Sequence, residues 1–552
     1  MCHGSTVPRM WAIPSCQLLR RFCLRRTTCL SSTTYARQIS SQTMATSARG
    51  ESIRKTVVVG SFLFKILNGD ATQARVALFK RSGTVRTYQH KWAPVSGSVE
   101  EHDATLLQAA LREIHEETKL LPNSLDLLRV GKPYSLIDES VGREWIINPF
   151  AFRLKDASEG GQGEEGIELD AEHERFHWFD PMQINGSDEF GGVPRLVHSL
   201  RRVWLEYDLG SDAGRILTEG IRKIQNDREH GARQLAGVAI LTLRDVICQM
   251  LHSQTIDESF WAKVRMAAWH ICQSRPSMAA AITTATVKAL TAIRVACQLT
   301  DMPTADRISH INRELDGQLS QKNHTADQIC QSFVDYVRLN VLKHRKSTKP
   351  LSILTLSSSS TITSCLTHAA STIGLGFDLR VLESRPLFEG VTTAATLSQN
   401  LKDNEDLKIT VYSDASAALA ARGVDLVLLG ADRISSAGDV SNKIGSLPAV
   451  LSARYVTPNV KVLVLSDTEK IGGLGSMEEH DSEENSPLEL RRAWGAVKGA
   501  EGVNRVENTY FEWVPASLID TYVTEEGHLS TEQIQQKSEW IHSQSELYFN
   551  DL

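Results

Sequence analysis

Five short apolar runs constrain this chain more than any other feature. They are "LSILTL", "FDLRVL", "KITVY", "VDLVLLG" and "VKVLVLS", all between residues 351 and 466, and helical stretches separate them. Short apolar strands that alternate with helices pack as a parallel sheet, because each helical crossover returns the chain to the same edge direction. Residues 346–552 are therefore expected to form an α/β, Rossmann-like parallel-sheet domain. In such a sheet, ligands collect at the carboxyl ends of the strands.

The rest of the chain divides by pattern. Residues 51–205 mix strand-like runs ("TVVVGSFLFKIL", "RVALFKRS", "REWIINPFAFRLK") with one helical run, "ATLLQAALREIHEETK". This reads as an α+β sandwich. Residues 215–345 hold long amphipathic runs such as "ARQLAGVAILTLRDVICQML" and read as a helical subdomain. The "DASEGGQGEEGIEL" and "SMEEHDSEENSP" stretches read as solvated loops. A hydrophobic share of 41% lets each block bury a core, which excludes disorder as the dominant state.

Charge is distributed unevenly. Residues 1–50 carry seven Arg and neither Lys nor acid, leaving 53 basic against 66 acidic side chains, a net of −13, for the remainder. An acidic body is a poor partner for a nucleic-acid backbone, so no direct nucleic-acid contact is expected. No uninterrupted apolar run approaches the ~18 residues of a membrane span, and no membrane partner is expected. The Arg-, Ser- and Thr-rich composition of 1–50 is that of a mitochondrial transit peptide, or of a basic tail without structure. Met44 offers a second start and with it a cytoplasmic form. Five widely spaced Cys follow the tail without a CxxC pair, which points to buried thiols and away from disulfides or zinc.

The first candidate site is a trio of carboxylates. Glu113, Glu116 and Glu117 in "LREIHEET" fall at i, i+3 and i+4 and share one helical face. Leu107, Ala110, Leu111 and Ile114 form an adjoining apolar stripe. Carboxylates this close repel unless a cation lies among them, and Mg²⁺ (or Mn²⁺) prefers oxygen ligands together with substrate phosphates. A solvated acidic face is the competing account. The segment "GSVEEHDATLLQAALREIHEETKL" resembles the signature of the Nudix hydrolase family, G-x5-E-x7-R-E-U-x-E-E-x-G-U with U aliphatic. Two departures stand out: one extra residue before Arg112, which displaces Asp103 from the upstream acid position, and Lys119 in place of a helix-ending Gly. The resemblance implies Mg-dependent hydrolysis of a nucleoside diphosphate linked to another group. It assigns Glu113, Glu116 and Glu117 as metal ligands or base, Arg112 as the group holding them, and Glu172 or Glu174 as a further acid.

The second candidate site follows the strand of "VDLVLLGADRISSAGDVSNKIG". Asp432 stands just past the strand, and Asn442 and Lys443 follow where a loop folds back over the same place. A capping or Arg433-paired role for Asp432 weighs about equally on local sequence. Ordered motifs from about residue 215 to 545 resemble the initiation factor 2B alpha/beta/delta family, which includes the methylthioribose-1-phosphate and ribose-1,5-bisphosphate isomerases. They are "HGARQLA", "SRPSMAAAI", "ILTLSSSSTI", "LESRPLFEG", "GADRI", "SNKIG" and "WVPASLIDTYVTEEG". The isomerases use a Cys after the "ILT" strand together with the Asp of "GADR". Here Asp432 is present and Ser357 occupies the Cys position, a far weaker acid than a thiol. The loop of Ser357, Ser358, Ser359, Ser360 and Thr361 suits a phosphate at a helix N-terminus, with Arg233, Arg275, Asn442 and Lys443 completing the cradle. Glu389 stands where many members carry Gln and would repel an anion unless Arg385 pairs with it.

The leading expectation is thus a Nudix-type pyrophosphohydrolase fused to a sugar-phosphate-binding domain, homodimeric through its C-terminal half. That fusion suggests an ADP-ribose-like substrate. The alternatives are an initiation factor 2B-like regulatory subunit and a sugar-phosphate isomerase that works through Asp432.

Overall fold

The computed structural model describes residues 45–46 and 52–552, apart from 67–72, 228–229, 253–254, 300, 345–348, 375, 475–484, 496, 498 and 500–501. The readings of residues 1–50 as a leader, and of the acidic "SMEEHDSEENSP" loop, fall almost wholly outside these residues.

The front block is built on one long strand, Ser52–Lys65. It runs parallel to Arg143–Leu154 from Arg54 to Phe64 and antiparallel to both Arg75–Arg81 and Val95–Ser98. Its side chains alternate between two cores. Val59 and Leu63 pack with Ala109, Ala110 and Ile114 of the helix Leu106–Thr118 on one face. Phe62 and Phe64 pack with Leu196, Leu200 and Val203 of the helix Leu196–Val203 on the other. A sheet with period-two apolar residues on both faces needs a cover on each, and the two helices supply it.

Local chemistry sets the ends of the Leu106–Thr118 helix. Thr105 is extended, and its Oγ1 accepts the Gln108 N–H at 3.0 Å. Lys119 adopts the left-handed cap conformation, φ 60°, that a Gly would take at less cost. Its N–H donates to the His115 carbonyl at 2.9 Å and its Nζ to the Glu116 carbonyl at 3.0 Å, so the helix stops where a Gly would have stopped it. Thr105→Ala removes a cap worth about 1 kcal/mol. Urea unfolding followed by circular dichroism is expected to register a loss of that size.

The middle block comprises five helices, Ser211–Asn226, Ala232–Met250, Glu258–Cys272, Ala279–Gln298 and Thr304–Tyr336. Their shared core also takes in Tyr548 and Phe549 from the last helix, Thr531–Phe549, whose Tyr548 hydroxyl meets Thr291 Oγ1 at 2.9 Å. Pro276–Gln298 is long and apolar enough by composition to cross a membrane, and 61% of its most apolar window is instead buried inside the protein. Arg129 of the front block reaches into this block and donates to Thr218 Oγ1 at 2.8 Å.

The rear sheet has the order Leu407–Tyr412, Phe377–Leu382, Leu351–Leu356, Leu426–Leu429, Lys461–Leu465, Thr521–Thr524, Gly527–Leu529. All neighbours are parallel except the last pair. Strand Leu351–Leu356 is buried at every position, as an inner strand must be. The chain winds outward from it in one direction and then resumes on its other side at Leu426–Leu429. That reversal opens a crevice at the carboxyl ends of these two strands. Cys248, Cys272, Cys297, Cys330 and Cys365 are free thiols.

Candidate functional site

The front site is organised by Arg112. Its Nε and Nη2 donate to the two oxygens of Asp103 at 3.1 and 2.9 Å, and Nη2 also donates to the Ser98 carbonyl at 3.0 Å. Its Nη1 donates to Glu113 at 2.8 Å and Glu116 at 3.0 Å. Asp103 thus reaches the arginine despite the extra residue, because the turn before the helix carries it back. The guanidinium holds the Asp103 carboxyl below the usual range.

The three carboxylates differ in environment. Glu116 is exposed, while Glu113 and Glu117 are buried, at 9% and 4% exposure. Burial raises the pKa of Glu113 against the opposing pull of Arg112. Burial also raises Glu117 well above its ordinary value, and Glu113, Glu172 and Asp170 add to the effect. Glu117 Oε1 accepts the Ser96 N–H at 3.3 Å, and His173 Nε2 lies 3.4 Å from Oε2. Oε2 itself has no hydrogen-bond partner. Glu113 lies directly on Gly97, where a Cβ would come within 2.0 Å of its carboxyl group.

Among the described residues no group of three or more His, Cys, Asp or Glu side chains is placed to hold a metal ion, and the Arg112 guanidinium bridges Glu113 and Glu116. The donor set nonetheless suits a hard cation: three carboxylates, two of them buried, and one orphaned oxygen on Glu117. Of the two further acids weighed from sequence, Glu172 acts electrostatically on Glu117, whereas Glu174 is engaged 2.5 Å from His90 Nδ1.

A cavity of about 240 Å³ lies against the strand Val95–Ser98, and none of the three carboxylates lines it. Ser96, Gly97 and Ser98 form one wall, and Tyr88, Leu136, Trp145 and Ile147 are among the others. Tyr88 has φ 52°, a conformation that is strained for an aromatic residue, and its hydroxyl donates to Asp138 at 2.6 Å. Sequence reasoning missed this pocket, along with His173 and Asp170, because residues far apart in the chain meet there only through strand pairing. The one local signal was the Asp-x-x-His spacing of Asp170 and His173.

The rear site lies at the crevice. Ser357 takes φ 68°, its N–H donates to Ser384 Oγ at 2.7 Å, and its carbonyl accepts from Thr393 Oγ1 at 2.7 Å. Ser358 and Ser360 are exposed. Ser359 caps the helix Ser360–Ile373 and faces Gly430 and Asn442 across the crevice. Asn442 is buried and donates to Ser446 Oγ at 2.9 Å.

Asp432 is half-buried, and burial raises its pKa against the nearby Lys470, Lys443 and Arg275. Asp467 on the adjacent strand end also faces it. Arg233 donates to Asp467 at 3.1 Å and to Thr361 Oγ1 at 3.3 Å. Arg275 and Lys443 are buried, at 7% and 6% exposure, and so are not ordinary surface charge.

One expectation is corrected. Glu389 pairs with Lys443, at 2.9 Å, and Arg385 turns to Glu383 at 3.4 Å. The Arg385 N–H donates to Asp414 and its side chain turns to Glu383, while Lys443 reaches Glu389 from the strand Val440–Lys443. Asp467 and the Glu389–Lys443 pair were not found from sequence, since each lies more than 30 residues from its partners.

Two family models match the chain: the initiation factor 2 subunit family over residues 228–531 and the NUDIX domain over residues 59–201. Methylthioribose-1-phosphate isomerase of Vitis vinifera is 30% identical over 269 residues, which are 42% of this chain and 68% of that protein. Its counterpart in Pseudomonas fluorescens (strain Pf0-1) is 34% identical over 187 residues, 30% of this chain and 49% of that protein. The chain thus spans about two thirds of the first relative and about half of the second. Among solved structures, the translation initiation factor eIF-2B of Pyrococcus horikoshii OT3 matches with a TM-score of 0.43 at 20% identity, over 57% of this chain and 96% of that one.

Proposed function

The chain belongs to the initiation factor 2 subunit family and carries a NUDIX domain in front of it, and from that premise we propose that it hydrolyses a nucleoside diphosphate derivative and binds a sugar phosphate. The observation that carries the first half is the junction at Gly97. One glycine forms both the wall of an aromatic-lined cavity and the seat of the Glu113 carboxylate. A planar base in that cavity, against Tyr88, Trp145 and Ile147, would have its diphosphate pass Ser96–Ser98 to reach the carboxylates.

Glu113, Glu116 and Glu117 would hold a divalent cation, which when bound polarises phosphoryl oxygens and makes water a better nucleophile. The protein's own groups do the rest. Arg112 fixes Glu113 and Glu116 in position. Glu117, with its raised affinity for a proton, is suited to take one from water, and His173 limits its rotation.

Sugar-phosphate binding by the rear domain rests on the crevice between Ser359, Gly430 and Asn442, with Arg233 and Arg275 beside it. Cleavage of an ADP-ribose-like substrate releases a ribose phosphate, which is the ligand class this crevice suits. The isomerase chemistry in the relatives' names is not carried over, because a hydroxyl at Ser357 replaces the expected thiol, and Cys330 and Cys365 lie in the apolar core.

The full chain incubated with ADP-ribose and Mg²⁺ is expected to yield AMP and ribose 5-phosphate, read by anion-exchange chromatography. Intact substrate throughout a panel of nucleoside diphosphate sugars and dinucleotides would sink the hydrolase reading.

A further inference from the structure

The cations of the rear crevice are largely paired with acids of the protein itself. Lys443 meets Glu389 at 2.9 Å and lies over the rings of Tyr510 and Phe511, 4.3 and 5.5 Å from their centroids. Arg233 meets Asp467. Lys322 meets Glu469. Lys470 donates to the Ala431 carbonyl at 2.5 Å. Around Asp432 the crevice therefore sets Arg233, Arg275, Lys443 and Lys470 against Asp432, Asp467 and Glu389.

Lys322 with Glu469, and the half-buried Glu525 beside Asp467, complete this set at five cations against five carboxylates, so each cation already has an acid to answer it. A single phosphomonoester, at roughly −1.5 to −2 near neutral pH, is the smaller anionic load for so balanced a crevice. A second phosphate would overload it and would have to enter beside Glu389, whose carboxylate already occupies the Lys443 ammonium. The 3%-exposed Asp467 side chain adds a second sign. Its Oδ1 has no hydrogen-bond partner, so it calls for a donor such as a sugar hydroxyl and not for an anion.

We propose that Glu389, by neutralising Lys443, makes the rear crevice selective for a sugar that carries a single phosphate and excludes one that carries two. This rests on the sugar-phosphate reading given above. The phosphate lies at the serine loop and the helix Ser360–Ile373, near Arg233 and Arg275. The sugar hydroxyls face Asp432 and Asp467. Glu389 is the specificity-determining residue. As the first residue of the helix Glu389–Asn400 it favours that helix end, and Gly390, packed on the Leu382 carbonyl, fixes it against the crevice.

The test is isothermal titration of the full chain with ribose 5-phosphate and with ribose 1,5-bisphosphate. Wild type is expected to bind the monophosphate at least tenfold more tightly. Glu389→Gln keeps the shape, removes the charge and frees Lys443. It is expected to tighten bisphosphate binding by about tenfold or more, with a much smaller change for the monophosphate. Glu389→Ala is expected to show the same gain, which separates loss of charge from the new amide, and thermal melts establish that both variants fold. Wild type binding both ligands equally, or a bisphosphate affinity unmoved by both substitutions, overturns the selectivity while leaving the sugar-phosphate site standing. Neither ligand binding to any of the three proteins overturns the site and the selectivity together.

Discussion

Glu117→Gln is expected to stabilise the protein while removing its hydrolase activity. The carboxyl group is almost fully enclosed and has one oxygen without a partner, and burial raises its pKa well above the ordinary 4.5. A carboxyl that binds its proton more tightly in the folded chain than in the unfolded one costs stability as pH rises from about its ordinary value through the raised one. Wild type should therefore lose stability across that window, and Glu117→Gln should lose less. The amide is also well placed locally. Its oxygen can accept the Ser96 N–H, and its NH2 can donate toward His173. Activity moves the other way. An amide neither takes a proton nor ligates a divalent cation well, so kcat/KM on the cleaved substrate should fall by about 10²–10⁴-fold. Steady-state kinetics and thermal melts between pH 5 and 8 read both effects. Retained hydrolysis, or a melting temperature lowered at pH 8, would contradict this account of Glu117.

Gly97→Ala should be nearly as damaging to catalysis for a steric reason. The added Cβ would sit 2.0 Å from the Glu113 carboxyl carbon and from one of its oxygens. Gly97 is held in register against Val59 in the sheet, so the backbone has little room to yield. Glu113 must turn away, breaking its 2.8 Å contact with Arg112 and leaving a buried carboxylate to find another place. The expected result is a loss of about 1–3 kcal/mol in stability, together with a fall in hydrolysis of at least about 100-fold, similar to losing one metal-ligating carboxylate. The pair Gly97→Ala with Glu113→Ala separates the two effects. Truncating Glu113 relieves the clash and should restore the melting temperature, while hydrolysis stays lost. Wild-type turnover in Gly97→Ala alone would show that the carboxylate's seat on the glycine has no part in the reaction.

The elements that were legible in advance share a cause. The helix Leu106–Thr118 and the inner strands Leu351–Leu356 and Leu426–Leu429 are specified by their own periodicity, because burial of a continuous apolar face needs nothing from distant sequence. Asp432 was legible because it stands one turn past such a strand. Lys119 shows the limit of a local rule. The missing Gly suggested a lost cap, yet lysine takes φ 60° because its Nζ reaches the Glu116 carbonyl and the packed helix offsets the strain.

By itself the sequence determined the order of blocks, the two motif-bearing segments and the types of side chain available for chemistry. Short-range spacing dictates these, and they hold in any compact arrangement. Only the tertiary structure decided which charges meet. It placed Lys443 on Glu389 in preference to Arg385, Asp467 beside Asp432, and His173 against Glu117. Electrostatic pairing depends on distances of a few ångströms in space and on burial from water, and strand order and register set both.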